Sequence, residues 1–340
     1  MSRQIDTSQP VPLAAPEVNL SSPPEAGAGA GAPPRTAVTS TGTGEAQHFG
    51  RGFAYLLISV CLLSSGWPLT KLALDHGAAP LWFAEGRAVL SGLIACALLA
   101  ARGALRVPRR GDWPVVLGVG LFQLGIYFAL AHLAVAWVAA GRTAVLANTT
   151  TIFVVPLSLL VLREHIPARR WLATLLGLAG VAVLVGPWAV DWDSRRALIG
   201  NALLLSAAAS WSVAILILRS RPPPSPMATL LPWCFLVAAL TLAPLLVWEA
   251  PHGGMGHAPA AWWSLAYVGL IAGPLGTWGV IEATVILPAV VASVGFLATP
   301  AFGILLSNWI LGEPITPDLI GGTALILAGV ALTVLPGRRR

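Results

Sequence analysis

The sequence predicts an all-α integral membrane protein, with ten transmembrane helices arranged as two five-helix inverted repeats. Three observations carry that prediction. Of 340 residues, 56% are hydrophobic and only 10% are charged, with a mean hydropathy of +0.78, whereas a soluble domain carries about 25% charge. Apolar runs of about 20 residues, the length that crosses a bilayer core, recur along the chain. The stretch 144–187 also recurs at 293–336 without a gap, with 17 of 44 positions identical. Such internal repetition fixes the architecture before any single motif does.

Taken in order, residues 1–48 are rich in Pro, Ala, Gly, Ser and Thr. They have too little apolar surface to offset their ordering entropy, so a disordered cytoplasmic tail is expected. They contain no signal-peptide core, and the GAGAGAG run lacks the Lys-Ser/Thr end of a phosphate loop. Ten helices are then expected at 53–74, 81–101, 113–133, 137–162, 170–187, 198–218, 228–248, 262–284, 287–311 and 319–336. Each must be a helix, because backbone polar groups in a bilayer have to be satisfied within the segment. Prolines at 80, 108, 167, 226, 259 and 317 punctuate them. Trp113, Trp171, Trp188, Trp233, Trp248, Trp262 and Trp263 fall near helix ends, as an interfacial aromatic belt requires. Pro68, Pro156, Pro244, Pro274 and Pro300 interrupt helices internally, as candidate flex points or static kinks.

Arginine supplies all the basic charge except Lys71. If every run crosses, Arg51, Arg102 to Arg110, Arg163 to Arg170, Arg219 and Arg221, and Arg338 to Arg340 share one side. Both termini are therefore expected in the cytoplasm, the chain lying in the inner membrane. The net charge of +6 belongs to this loop pattern and not to a nucleic-acid surface. Cys61, Cys96 and Cys234 lie inside apolar runs at no metal-ligand spacing, and read as buried free thiols.

At the offset of 149, Trp113 meets Trp262, and Val119-Gly120-Leu121 meets Val268-Gly269-Leu270. Near an offset of 144, Ser65-Gly66-Trp67 resembles Ala209-Ser210-Trp211. The first repeat is then 53–187 and the second 198–336, followed by a basic tail at 337–340. Five helices per unit is an odd number, so the second unit enters the membrane from the opposite side, and a site is expected at the midplane between the halves.

A charge in the bilayer centre costs from roughly 3 to more than 10 kcal/mol, so intramembrane ionisable groups point to a transport path. Lys71, Glu85 and Arg87 reach similar depth and are candidates for one cavity. Glu85 would exchange protons or anchor an amine, and Arg87 would hold a carboxylate. The competing reading is interfacial snorkelling, or a structural pair of Lys71 with Glu85. His132 and Arg142 read as interfacial anchors. Glu282 reads as the ion-pair partner of Arg219, and Glu164 and Glu313 as turn or cap residues. Asn148, Thr149, Thr150 and Thr151 are four consecutive hydrogen-bonding side chains at membrane depth, facing either a neighbouring helix or a wet cavity. Trp67 and Trp211 lie mid-membrane, where they line a cavity or pack the bundle.

The tryptophan of SSGWPLTKLAL, the Arg of PLWFAEGRAVL and the duplicated Glu hairpin, VVPLSLLVLREHI and ATPAFGILLSNWILGEPIT, resemble the drug/metabolite transporter superfamily in its EamA-domain branch. The resemblance spans 53–336. It implies a ten-helix carrier that exports or exchanges small metabolites, with no ATPase and no cofactor of its own. The first hairpin departs from the usual Gly-Glu by reading Arg163-Glu164.

The function expected is therefore a secondary transporter of a small polar or amphipathic metabolite, such as an amino acid, with a proton as candidate coupling ion. The sequence assigns no catalytic residue and no metal ligand, and leaves the oligomeric state open. A membrane-embedded lipid-modifying enzyme is the weaker alternative, because the chain has no acid-rich motif, no His-x-x-x-His and no nucleophile elbow. A non-transporting sensor would require a folded soluble domain that neither tail supplies.

Overall fold

The computed structural model describes residues 41–162, 168–186, 188, 192–287 and 289–334. The expected tail at 1–40, Glu164 and the basic end at 337–340 lie outside the described residues. Everything described is helix, turn or loop. Helix α1 is Thr41–Asp75, α2 Pro80–Ala101, α3 Trp113–Val135, and α4 the pair Ala140–Leu146 and Thr150–Leu162. They are followed by α5 Ala168–Val185, α6 Arg195–Ser220 and α7 Met227–Glu249. Helix α8 runs from Pro259 to Ile286, α9 is the pair Ala289–Phe296 and Ala298–Leu311, and α10 is Pro317–Val334. Seven of the helices are long and apolar enough to cross a membrane, and three shorter apolar helices fall in α4, α9 and α10. This is a multi-pass membrane protein.

Several boundaries differ from those expected. Helix α1 begins at Thr41, so residues 41–48, expected in the tail, form its first turns; Glu45, Ala46 and Gln47 are strong helix formers. Helices α4 and α9 are broken, at Ala147–Thr149 and at Leu297, positions equivalent in the repeat. Helices α3 and α8 contain π-helical stretches, Val119–Ile126 and Tyr267–Ala272, again at equivalent positions.

Carbonyls released by these irregularities find partners in the other half of the chain. Ser212 Oγ donates to Thr150 O (3.0 Å), and Ser64 Oγ donates to Thr299 O (2.9 Å). Ser210 Oγ donates to Phe122 O (2.7 Å) in the first π stretch, and Ser91 Oγ to Gly269 O (2.9 Å) in the second. A carbonyl without a partner at membrane depth costs several kcal/mol, so hydroxyls set beside irregular backbone help to keep it satisfied; Phe122 O accepts from Tyr127 N–H as well.

Helices α5 and α10 cross through small residues. A Cβ on Gly180 would lie 2.7 Å from Gly322 O, and a Cβ on Gly329 would lie 2.7 Å from Ala173 O. Gly180 and Gly329 are equivalent in the repeat, as are Ala173 and Gly322, so the contact is made twice with the halves exchanged. Glycines allow this approach, and in a bilayer the close packing itself holds the helices together.

The loops carry the remaining polar ties. The left-handed Gly312 (φ 68°) stops α9 and turns the chain so that Glu313 caps α4, accepting from Ala140 N–H (2.7 Å) and Gly141 N–H (2.9 Å). Glu249 does the same for α2, accepting from Leu81 N–H (2.8 Å) and Trp82 N–H (3.0 Å). Asp112, buried before α3, accepts from Arg109 N–H (2.8 Å), Ser225 N–H (3.0 Å) and Ser225 Oγ (2.8 Å). Burial alone would raise its pKa. The Ser225 hydroxyl, the two backbone donors and the nearby Arg109 charge outweigh that and hold it below the ordinary carboxylate value.

The outer surface is apolar. Leu160, Leu240, Val247 and Trp309 are all exposed, as are Trp113, Trp171, Trp188, Trp248, Trp262 and Trp263. In water such a surface would be unfavourable, whereas against lipid it is matched. The three cysteines are free, but only Cys234 is buried and Cys61 lies on the outside, because an apolar run in a membrane has a lipid face as well as a core face.

Candidate functional site

A cavity of about 120 Å³ lies where α1, α2, α3, α4, α6, α8 and α9 meet. Its aromatic wall comes from Trp67 next to Pro68 in α1, Tyr127 and Phe128 in α3, and Trp211 in α6. Tyr127 stands edge-on to Trp211 with ring centroids 4.7 Å apart, and edge-on to Trp67 at 6.3 Å. Arg87 reaches in from α2, its guanidinium carbon 3.5 Å from the centre of the Phe128 ring, a cation–π contact. His132, one turn after Phe128, is 1% exposed and borders the same space. Its Nδ1–H donates to Phe128 O (2.7 Å), and its Nε2 is buried without a hydrogen-bond partner among the described residues. Asn148 and Thr299 border the cavity from the two helix breaks.

Of the residues singled out from sequence, Trp67, Arg87, Asn148 and Trp211 line this cavity. The others do not meet there. Lys71 does not pair with Glu85: its Nζ lies 3.1 Å from Asp75 and 3.4 Å from Ala136 O. Asp75 is one turn along the same helix, which makes it the nearer partner. Glu85 is two residues from Arg87, about 200° round the helix, and so lies on another face of α2. Its Oε2 is buried without a hydrogen-bond partner among the described residues. Thr149 is fully buried and bonds back to Leu146 O (2.7 Å), a local bond that competes with the helix ladder where α4 breaks. Asn148 likewise donates to Ala144 O (2.6 Å). Thr151 is in the helix, and its side chain lies outside the described residues.

Two structural expectations are revised. Arg142 is more than an interfacial anchor: it pairs with Asp318 (3.1 Å) and donates to Leu184 O (3.1 Å). Arg219 donates to Ser158 Oγ (3.2 Å), and Glu282 is in neither ion pair formed among the described residues.

The EamA-like transporter family profile matches the chain twice, at residues 50–186 and 198–335. The chain belongs to the EamA-like transporter family. Among its relatives, Uncharacterized transporter YdfC of Bacillus subtilis is 27% identical over 283 residues, covering 82% of this chain and 89% of that one. The protein named Probable terminal-alkyne amino-acid exporter of Streptantibioticus cattleyicolor is also 27% identical, covering 82% of this chain and 91% of its own. A solved crystal structure shares the fold with a TM-score of 0.56 at 21% identity, over 84% of this chain and 95% of that one. The relatives carry transporter names, and membership implies a small-molecule substrate.

In this EamA-like chain, sequence reasoning missed Tyr127, Phe128 and His132 as cavity residues. The signal was available: positions 128 and 132 are one turn apart and share a helix face with 127 close by. His132 looked interfacial because α3 was expected to end at 133, whereas it continues to Val135.

Proposed function

We propose that this protein is a secondary transporter that exports or exchanges a small polar or amphipathic metabolite, an amino acid or a related compound, by alternating access. It resides in the cytoplasmic membrane with both termini inside, and crosses ten times as two oppositely inserted five-helix units, 53–187 and 198–336. The observation that carries the reading is the cavity bordered from both halves at the two helix breaks, with the half-buried cation Arg87 and an aromatic wall. The exchange of equivalent contacts, Ser212 to Thr150 and Ser64 to Thr299, supports the inverted arrangement. The relative named as an amino-acid exporter supports the substrate class.

Trp67, Arg87, Tyr127, His132, Asn148 and Trp211 bind the solute. Its volume of about 120 Å³ is below the roughly 300–1,000 Å³ of pockets for drug-sized ligands, so this state encloses a narrow site that opens during the cycle. A proton is the coupling ion, carried by Glu85 of α2, whose Oε2 is buried without a hydrogen-bond partner among the described residues. Lys71 and Thr149 serve structure. Proteoliposomes loaded with amino acids should show counterflow that Arg87→Gln abolishes and Glu282→Gln leaves intact at matched abundance. Absence of flux for amino acids, nucleosides, sugars and cationic drugs, with and without a pH gradient, would overturn the reading.

A further inference from the structure

We infer that the cavity selects an amphipathic carboxylate that carries no ammonium group, such as an arylalkanoate or an N-acylated amino acid, over a free amino acid or an amine. The inference rests on the transport reading above and narrows its substrate class. Arg87 is the source of the selection. Its planar fork suits a carboxylate; among the described residues neither ion pair includes it, and its Nε is buried without a hydrogen-bond partner. A lone cation inside a membrane protein is costly, and a bound carboxylate supplies the missing counter-charge.

No such partner awaits an ammonium. Among the described residues that line the cavity there is no Asp or Glu. Glu85, the nearest carboxylate in sequence to Arg87, lies on another face of α2. An ammonium in this space would be desolvated beside a guanidinium with no carboxylate to balance it, so the site discriminates by repulsion as well as attraction. A second polar group, His132, reinforces the choice. With Nδ1–H committed to Phe128 O, the neutral ring of His132 offers the Nε2 lone pair, an acceptor that suits a neutral N–H or O–H. Trp67, Tyr127 and Trp211 then provide the wall for a flat apolar body.

Four probes with one phenyl body separate the possibilities: phenylacetate, N-acetylphenylalanine, phenylalanine and phenethylamine, titrated into the full-length protein in nanodiscs. The two acids without an ammonium should bind at least about ten-fold more tightly than phenylalanine, with phenethylamine weakest. Arg87→Gln should cost the acids about ten-fold or more, and Arg87→Lys should recover part of that loss. This ranking on the unaltered protein does not depend on how well a variant folds. Phenylalanine or phenethylamine binding as tightly as phenylacetate, no binding of either acid, or acid binding indifferent to Arg87→Gln overturns the inference. Counterflow of free amino acids in the absence of acid binding sinks this selectivity and leaves the transporter reading standing. Acid binding with no flux of any solute keeps the site and removes the transporter reading.

Discussion

The crossing of α5 and α10 gives a prediction whose size can be worked from the backbone. A methyl added at Gly180 would sit 2.7 Å from Gly322 O and 3.1 Å from Ile326 N; one added at Gly329 would sit 2.7 Å from Ala173 O. Ile326 Cγ1 also lies 2.7 Å from the added methyl at Gly180, but the backbone obstacles remain whatever rotamer Ile326 adopts. Close C–H···O contacts lie at about 3.3 Å, so the helices must part by about 0.6 Å. Overpacking of this kind costs about 1–3 kcal/mol. Gly321 on the same helix is the control, because its added Cβ would meet only Val183 Cγ1, at 4.0 Å. Gly321→Ala should gain up to about 1 kcal/mol from helix propensity. Thermal or denaturant unfolding in detergent should therefore rank Gly180→Ala and Gly329→Ala about 1–3 kcal/mol below Gly321→Ala. Because one separation relieves both clashes, the double variant should cost less than the two singles together, with a coupling of at least about 0.5 kcal/mol. Equal stability of Gly180→Ala and Gly321→Ala, or strict additivity, would refute the close-packed interface.

Three further outcomes follow from the polar ties. Glu313→Ala removes the acceptor for two N–H groups at the start of α4 and should destabilise the protein by about 1–3 kcal/mol, seen as a lower melting temperature. Ser64→Ala and Ser212→Ala each remove a hydroxyl donor from a carbonyl next to a helix break, and should each cost about 0.5–1.5 kcal/mol in the same assay. Asp112 has a lowered native pKa, so its stabilisation is full above the ordinary carboxylate pKa and is lost as pH falls through the lower native value. Stability measured from pH 7 down to pH 2 should fall over that acid range, and Asp112→Asn should flatten this part of the profile.

Much of the architecture is legible in the sequence because the bilayer leaves few alternatives to long apolar helices, and because the repeat aligns without a gap. The exact breaks and π stretches are not, since the hydroxyls that accompany them come from elements remote in sequence. Nothing near Phe122 or Gly269 announces that Ser210 and Ser91 will take their carbonyls. At the site, depth is readable and direction is harder. Lys71, Glu85 and Arg87 were grouped by height, yet a two-residue spacing on a helix separates Glu85 from Arg87 whatever their height. Depth in the sequence does not choose between Asp75 and Glu85 for Lys71, and the structure pairs it with Asp75. His132 was hidden by a two-residue error in a helix end.

The seven-residue piece Ala140–Leu146 belongs by sequence to the first half, and keeps a tie to it through Arg142 and Leu184 O, yet several of its polar and close-packed attachments are to the second. Glu313 holds its amino end, Arg142 pairs with Asp318 at the start of α10, and Gly303 of α9 packs on Ala144. Only the broken turn at Ala147–Thr149 joins it to the rest of α4. The piece is thus held from both halves at once. If the halves rock against each other, the fulcrum falls at Asn148 in the cavity wall, so a solute resting there would sit on the joint itself.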